Sequence, residues 1–347
     1  MGYKKLLLYV LIMIVNMDPF KRFIEIWLYS MFILVFLIVA VGGLTRLTDS
    51  GLSITEWELF KGILPPLTDA KWLFYFDEYK KIPEYIEINY NMTLSEFKVI
   101  YYWEYGHRIL ARLIGLFSIV PLIYLFIKYK NERKNIYKYF LIFILICFQG
   151  FLGWFMVSSG LINNTDVSHY RLALHLFVAL LIISLIFWFL INNLNVEKFS
   201  IKIPNKILNL FLILIITQIV LGAFLAGLDG GLLYNTWPDM NGFLLPSDIN
   251  YKDLFRLDST NNPSVIQFYH RKIAYIILLF LIYLNYFFLK KGIDYKSLIV
   301  LNLVILFQVA LGIITLLSGV KIYYASLHQL GSILVLTSVI TLIYKNN

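Results

Sequence analysis

Eight apolar runs, at about 26–45, 108–127, 137–157, 172–191, 207–227, 271–289, 297–317 and 323–343, leave this chain few folds to adopt. Each is long enough to cross the ~30 Å hydrocarbon core of a bilayer as a helix, and too long and uniformly apolar for a barrel strand. The expected fold is all-α and integral to a membrane, with eight transmembrane helices. Composition agrees: of 347 residues, 60% are hydrophobic and only 15% charged, against about 25% charged in soluble domains.

The net charge of +9 could suggest nucleic acid, but its distribution makes it a topology signal. Lys21/Arg22, Lys128 to Lys138 with Arg133 and Lys134, Lys198/Lys202/Lys206 and Lys290/Lys291/Lys296 fall in alternate short loops. They share that side with few acids: Asp18, Glu25, Glu132, Glu197 and Asp294. The positive-inside rule makes this side, and both termini, cytoplasmic. The bilayer is the expected partner and nucleic acid is not. The single cysteine, Cys147, lies inside the third run, so neither a disulfide nor a cysteine-ligated metal is available. Residues 1–23 read as a cytoplasmic or interfacial extension. Their basic-then-apolar start lacks a small-residue cleavage site, and both Met1 and Met17 fit as the start. With no Arg- and Ser-rich transit peptide, a bacterial plasma membrane is expected.

An internal repeat organises the rest. "GGLTRLTDSGLSITEW" (42–57) aligns with "GAFLAGLDGGLLYNTW" (222–237), matching Asp49 to Asp229 and Trp57 to Trp237. "EYGHRILA" (104–111) aligns with "QFYHRKIA" (267–274), and "FQGFLGWFMVSSGL" (148–161) with "FQVALGIITLLSGV" (307–320). "ALHL" around His175 answers "SLHQ" around His328. Chance alignment of Leu-rich helices would pair Leu with Ile, not His, Arg, Gln, Asp and Trp. The expected organisation is two homologous four-helix bundles in the same orientation, 24–191 and 207–347, joined by a cytoplasmic linker at 192–206.

Of five histidines, four fall at repeat-equivalent positions: His107 and His270 at the start of runs two and six, His175 and His328 near the start of runs four and eight. A single histidine near a span's end is ordinarily interfacial and satisfied by water or a carbonyl. Two duplicated pairs are hard to explain that way. Paired imidazoles from neighbouring helices suit the two faces of a b-type haem iron, with the porphyrin in an apolar slot. Zinc would ask for four converging ligands, and copper for Cys or Met. Two sites follow, His107/His175 and His270/His328, with His169 left as an interfacial histidine.

Arg108 and Arg271 follow the first histidine of each pair, where a guanidinium could bind a haem propionate or simply anchor the interface. Arg171, four residues before His175, is a further propionate candidate. Asp49 and Asp229 read as turn residues that shape the exits of runs one and five. Within the two His-Arg motifs the acidic position is the one that changes character: Glu104, three residues before His107, is replaced by Gln267. Glu104 could serve as a helix N-terminal acid. Glutamine, however, keeps its size and hydrogen bonding while losing the ability to exchange a proton. The N-terminal half therefore reads as reactive and the C-terminal half as a relay, with Glu104 the catalytic candidate.

"LTDSGLSITEW", "EFKVIYYWEYGHRILARLIG", "VSHYRLALHL" and the later "HR" and "LHQ" motifs resemble the haem A synthase family, in its alphaproteobacterial and mitochondrial branch. The resemblance implies oxidation of the C8 methyl of haem O, through a hydroxymethyl stage, to the formyl of haem A for cytochrome c oxidase. It implies a haem b cofactor on His270 and His328, substrate haem at His107 and His175, and a role in turnover for Glu104. It further implies work alongside a haem O synthase and an electron donor, and a homo-oligomer is compatible with it; in a bacterial plasma membrane, the topology set by the basic loops turns the histidines to the periplasm. The loop cysteines of other branches are absent. An iron with histidine on both faces has no room for oxygen. Either His107 or His175 dissociates in turnover, or the methyl loses electrons and water attacks. A duplicated di-haem cytochrome b oxidising quinol is the rival reading; it leaves the Glu104/Gln267 difference unexplained.

Overall fold

A computed structural model describes residues 18–57, 61–162, 164–293 and 295–347, excepting the side chains of Lys61 and Leu257. Met1, Met17, most of the N-terminal extension and Asp294 lie outside the described residues. Eight helices are long and apolar enough to cross a membrane: α1 (Pro19–Leu47), α2 (Leu94–Lys128), α3 (Phe140–Val157), α4 (His169–Asn193), α5 (Asn205–Gly227), α6 (Pro263–Lys291), α7 (Lys296–Leu317) and α8 (Ile322–Asn346). Among the described residues the only extended pairing is an isolated bridge between Met240 and Phe243.

Helix starts follow from local chemistry. Pro opens α1 and α6 behind Asp18 and Asn262, whose side chains accept from backbone N–H groups of the first turn. In α2, Thr93 and Glu96 form a reciprocal capping box. This start differs from the hydropathy expectation, because α2 begins well before the apolar run at 108. Its 35 residues span about 52 Å, far more than the ~30 Å core. Hydropathy detects the lipid-facing part of a helix, and here the first turns are polar, with Phe97 and Tyr101 covered by protein instead. His107 and Glu104 therefore sit well inside a helix rather than at its opening.

What covers those turns is the chain between α1 and α2. Leu52, Ile54, Trp72, Phe76, Tyr79 and Ile82 bury themselves with Phe97 and Tyr101 of α2. A helix at Asp69–Tyr79, capped by Thr68, carries three of these side chains. The chain between α5 and α6 makes only short 3₁₀ turns, at Gly230–Leu232, Asp253–Phe255 and Leu257–Asn261.

Within the membrane, α4 and α8 are the most buried helices and α3 the least. One core joins α1 to α4 and takes in Ile333, Leu336, Ile340 and Tyr344 of α8. A second joins α5 to α8. At the capped end, Asp49 and Asp229 adopt left-handed backbone (φ 46° and 49°), which Asp tolerates better than most residues. This is the exit-shaping role expected of them. Arg46 lies between them, 2.9 Å from each carboxylate, and also donates to the Ala226 carbonyl at 3.0 Å.

Candidate functional site

Each of the four paired histidines stands over a glycine of a neighbouring helix. A Cβ added to Gly42 of α1 would lie 3.0 Å from His107 Nε2, and one on Gly153 of α3 would lie 3.3 Å from His175 Cε1. In the C-terminal half, a Cβ on Gly222 of α5 would approach His270 Cε1 to 3.2 Å, and one on Gly312 of α7 would approach His328 Cε1 to 2.9 Å. These approaches are tighter than ordinary side-chain packing. The repeat alignment pairs Gly42 with Gly222 and Gly153 with Gly312, so the same cradle occurs twice. His175 and His328 are each the seventh residue of their helix, counted from His169 and Ile322.

Glutamines hold the histidine helices. Gln149 Nε2 donates to the His175 carbonyl at 2.9 Å, and Gln308 Nε2 donates to the His328 carbonyl at 2.7 Å. Those two glutamines are repeat partners. Gln218 Nε2 lies 3.2 Å from His270 Nε2 and donates to it in the tautomer that leaves that nitrogen bare. Sequence reasoning misses Gln149, Gln218 and Gln308 as site residues, although the aligned "FQ" dipeptides give a signal for all but Gln218.

The His270 and His328 ring centroids are 6.4 Å apart, with the planes at 80°. Two imidazoles on opposite faces of one metal, each bonded at about 2 Å, place their centroids about 6 Å apart. The spacing of the His270 and His328 rings is therefore that of an axial pair. His175 Nδ1, His270 Nδ1 and the Oε1 atoms of Gln149, Gln218 and Gln308 are buried without a hydrogen-bond partner among the described residues. Among those residues no group of three or more His, Cys, Asp or Glu converges as a metal site, so the donor set suits a metal that brings its own equatorial ligands. His169 lies apart from both pairs, with its ring against Tyr170 and edge-on to Phe224 and its Cβ over Gly227.

Glu104 is 3% exposed. Its Oε2 accepts from Ser53 Oγ and from the Ile54 N–H, both at 2.8 Å. Its Oε1 accepts from Arg108 Nε at 2.9 Å and Nη2 at 2.5 Å. Arg108 also donates to the carbonyls of Ile54 (2.9 Å) and Glu56 (3.1 Å), and its guanidinium lies over the Trp57 ring. Arg271 repeats this arrangement, donating to the Tyr234 and Thr236 carbonyls at 2.6 and 2.8 Å and to that of Asp239 at 2.7 Å. Ile54 aligns with Tyr234, and Glu56 with Thr236. Gln267, 1% exposed, donates Nε2 to the Tyr234 carbonyl at 3.0 Å.

The structure thus brings Glu104 and Arg108 together as one buried ion pair clasping the loop after α1. The donors of Arg271 that find partners go to loop carbonyls, while its Nε is buried without a partner among the described residues. Arg171 faces α3, where it donates to the Phe155 carbonyl at 2.6 Å and to Ser158 Oγ at 3.2 Å. A cation there suits the negative end of that helix. In the cap, Glu84 is 5% exposed, and burial pushes its carboxyl up from 4.5 to about 8. Its Oε2 has no partner among the described residues.

The chain as a whole is similar to known proteins. Residues 25–340 match the family model described as COX15-CtaA, cytochrome oxidase assembly protein. A protein of Pelagibacter ubique described as heme A synthase is 58% identical over 335 residues, covering 96% of this chain and all of the relative. Proteins of the same description are 42% identical in Rickettsia felis (92% of this chain, 97% of the relative) and 43% identical in Rickettsia bellii (90% and 95%).

Proposed function

Because the chain belongs to the COX15-CtaA family of cytochrome oxidase assembly proteins, we propose that it is a haem A synthase, a membrane oxidoreductase acting on haem O. The reaction is oxidation of the C8 methyl, through hydroxymethyl, to the formyl of haem A. The observation that carries this reading is full-length similarity at 58% identity to a protein described as heme A synthase, in a chain whose four repeat-equivalent histidines each stand over a glycine of a neighbouring helix.

His270 and His328 would hold a haem b, and His107 and His175 would hold the substrate haem. When bound, the haem at His270 and His328 supplies one-electron redox chemistry. The chain's own residues do the rest. Gly42, Gly153, Gly222 and Gly312 let the imidazoles approach the neighbouring helices. Gln149 and Gln308 fix the backbone of the helices that carry His175 and His328. Glu104 is the acid nearest His107 in the chain and exchanges the proton of the reaction; Arg108 and the Ser53 and Ile54 donors orient its carboxylate. Arg108 and Arg271 act first as clasps of the loops over the two sites. Propionate contact is left to Arg108's remaining donor capacity, to Arg271 Nε and to Arg171.

The repeated cradles and clasps support reading 24–191 and 207–347 as homologous halves with 192–206 as linker. Both termini would then be cytoplasmic and the histidine sites periplasmic in a bacterial inner membrane, fed by a haem O synthase and an electron donor. The test is co-expression with a haem O synthase, followed by extraction and separation of the haems. Haem A in the extract is the expected result. Haem b alone, with normal redox cycling, would leave a di-haem cytochrome instead.

A further inference from the structure

Two adjacent glycines of α1 face residues belonging to the two different histidine sites. Gly42 lies under the His107 ring. A Cβ on Gly43 would collide with the side-chain amide of Gln329. Gln329 follows His328 directly in α8, and its Nε2 donates to the Val39 carbonyl of α1 at 3.1 Å. Val39 is one helical turn before Gly43. The bare backbone of α1 thus stands between the ring of one site's histidine and the residue next to the other site's histidine.

The repeat makes this contact one-sided. The positions aligned with Gln329 and Gly43 are Leu176 and Ala223, and neither has a side-chain amide to donate. An amide within the membrane carries a desolvation cost that a leucine would not. The carbonyl it reaches belongs to the other half of the chain. Packing alone is served as well by the leucine at the equivalent place, so the amide between the two sites calls for a role that packing does not fill.

We propose that Gln329, seated on Gly43, is a positioning residue that sets the separation of the two histidine pairs, and with it the rate at which electrons cross from the His270/His328 site to the His107/His175 site. The inference rests on the reading of both pairs as haem-holding. The step is a one-electron exchange, with iron at the His270/His328 site oxidised as iron at the His107/His175 site is reduced, and no covalent bond made or broken. The rate of such an exchange falls steeply with distance, so a small outward shift of α8 from α1 has a large kinetic effect.

The experiment uses the full chain in detergent, loaded with haem b at His270/His328 and haem A at His107/His175. The formyl group separates the two absorption spectra. Photoreduction followed by time-resolved absorption reads the equilibration between sites, and the same samples give haem stoichiometry and the bis-imidazole signature. Gln329→Leu copies the N-terminal half, and Gln329→Met keeps length without the amide. Both are expected to retain two haems with wild-type ligation spectra while equilibration slows severalfold. Gly43→Ala, whose Cβ takes the place of the Gln329 amide and turns that side chain off its seat, is expected to slow it to a similar extent. Wild-type equilibration in both Gln329 variants overturns the proposal, as does loss of the haem at His270/His328 in Gln329→Met, which would make the residue a support for ligation instead. A wild-type chain that equilibrates quickly yet makes no haem A would remove the proposed function and leave this inference standing.

Discussion

Substituting Glu104 by glutamine tests whether its carboxylate holds the cap as well as serving the reaction. Both oxygens are committed: Oε2 to Ser53 and the Ile54 amide, Oε1 to Arg108. Glutamine keeps one acceptor. If its oxygen takes the place of Oε2, the amide NH₂ turns toward the guanidinium, and donor meets donor. Arg108, whose side chain is 11% exposed, then loses its counter-charge. Removing one partner of a buried ion pair costs about 3–5 kcal/mol. Arg108 keeps the Ile54 and Glu56 carbonyls, so about 3 kcal/mol, the lower end of that range, is expected. The cost falls on closure of the loop after α1, and it corresponds to roughly a hundredfold loss of protection where that loop opens locally.

Hydrogen exchange read by mass spectrometry on peptides covering 48–57 measures this directly, with haem A yield taken from the same preparations. Glu104→Gln should exchange the Ile54 amide roughly a hundredfold faster than wild type. Adding Arg108→Gln removes the stranded charge and should recover much of the protection. The haem A yield of that double variant then reports on proton exchange with the cap closed. Unchanged protection of Ile54 in Glu104→Gln would refute the reasoning, because the four hydrogen bonds would then not be what closes the loop.

Two further perturbations follow from the geometry. Gly312→Ala puts a Cβ 2.9 Å from the His328 ring, whereas Gly153→Ala puts one 3.3 Å from His175. The Gly312 variant should lose haem from the His270/His328 site, seen in haem content and in the reduced-minus-oxidised spectrum. The Gly153 variant should cause a milder loss at the His107/His175 site, and the opposite ranking would count against the cradle. Glu84 supplies a pH test. Its folded value of about 8 lies above the ordinary 4.5, so the folded cap holds a proton that the open chain releases. That contribution to stability is complete below pH 4.5 and is lost as pH rises through about 8. Proteolysis of the 48–93 segment should accelerate across that window in wild type, and Glu84→Gln should flatten the dependence.

Much of the fold is readable in the chain itself, for reasons that differ from element to element. The eight spans are visible because bilayer thickness imposes a length and a composition that nothing else in the sequence imitates. The histidine pairs are visible because duplication repeats the chemistry at a recognisable spacing. The start of α2 at Leu94 is not: its first turns are polar, with Phe97 and Tyr101 buried against Trp72, Phe76 and Tyr79, and a hydropathy window does not register burial against protein. The four glycines are present in the aligned motifs, yet an aligned glycine does not say what approaches it. Only the packing of α1, α3, α5 and α7 against the histidine helices shows that.

The arginines show why position along a helix does not determine a partner. Placed beside the histidines at the wet end of a span, Arg108 and Arg271 read as propionate candidates or as interface anchors, and neither reading names the loop. In the structure their guanidiniums reach the loops after α1 and α5, at repeat-equivalent carbonyls. Histidine and arginine are consecutive, so their side chains leave the helix about 100° apart, and one cannot face the neighbouring helix while the other faces the same place. The loop carbonyls have no pattern that sequence could reveal, since every residue carries one. This geometry also sharpens the meaning of the Glu104/Gln267 difference. Where the clasp is Arg271 on three carbonyls, a neutral amide completes it. Where the clasp includes a carboxylate, it also accepts from two donors of the loop, Ser53 Oγ and the Ile54 N–H. The N-terminal half thus holds its loop with a group that can also take a proton, so closure of the cap and the protonation state of Glu104 are coupled: protonating it weakens the clasp on Arg108, and opening the loop frees the acid.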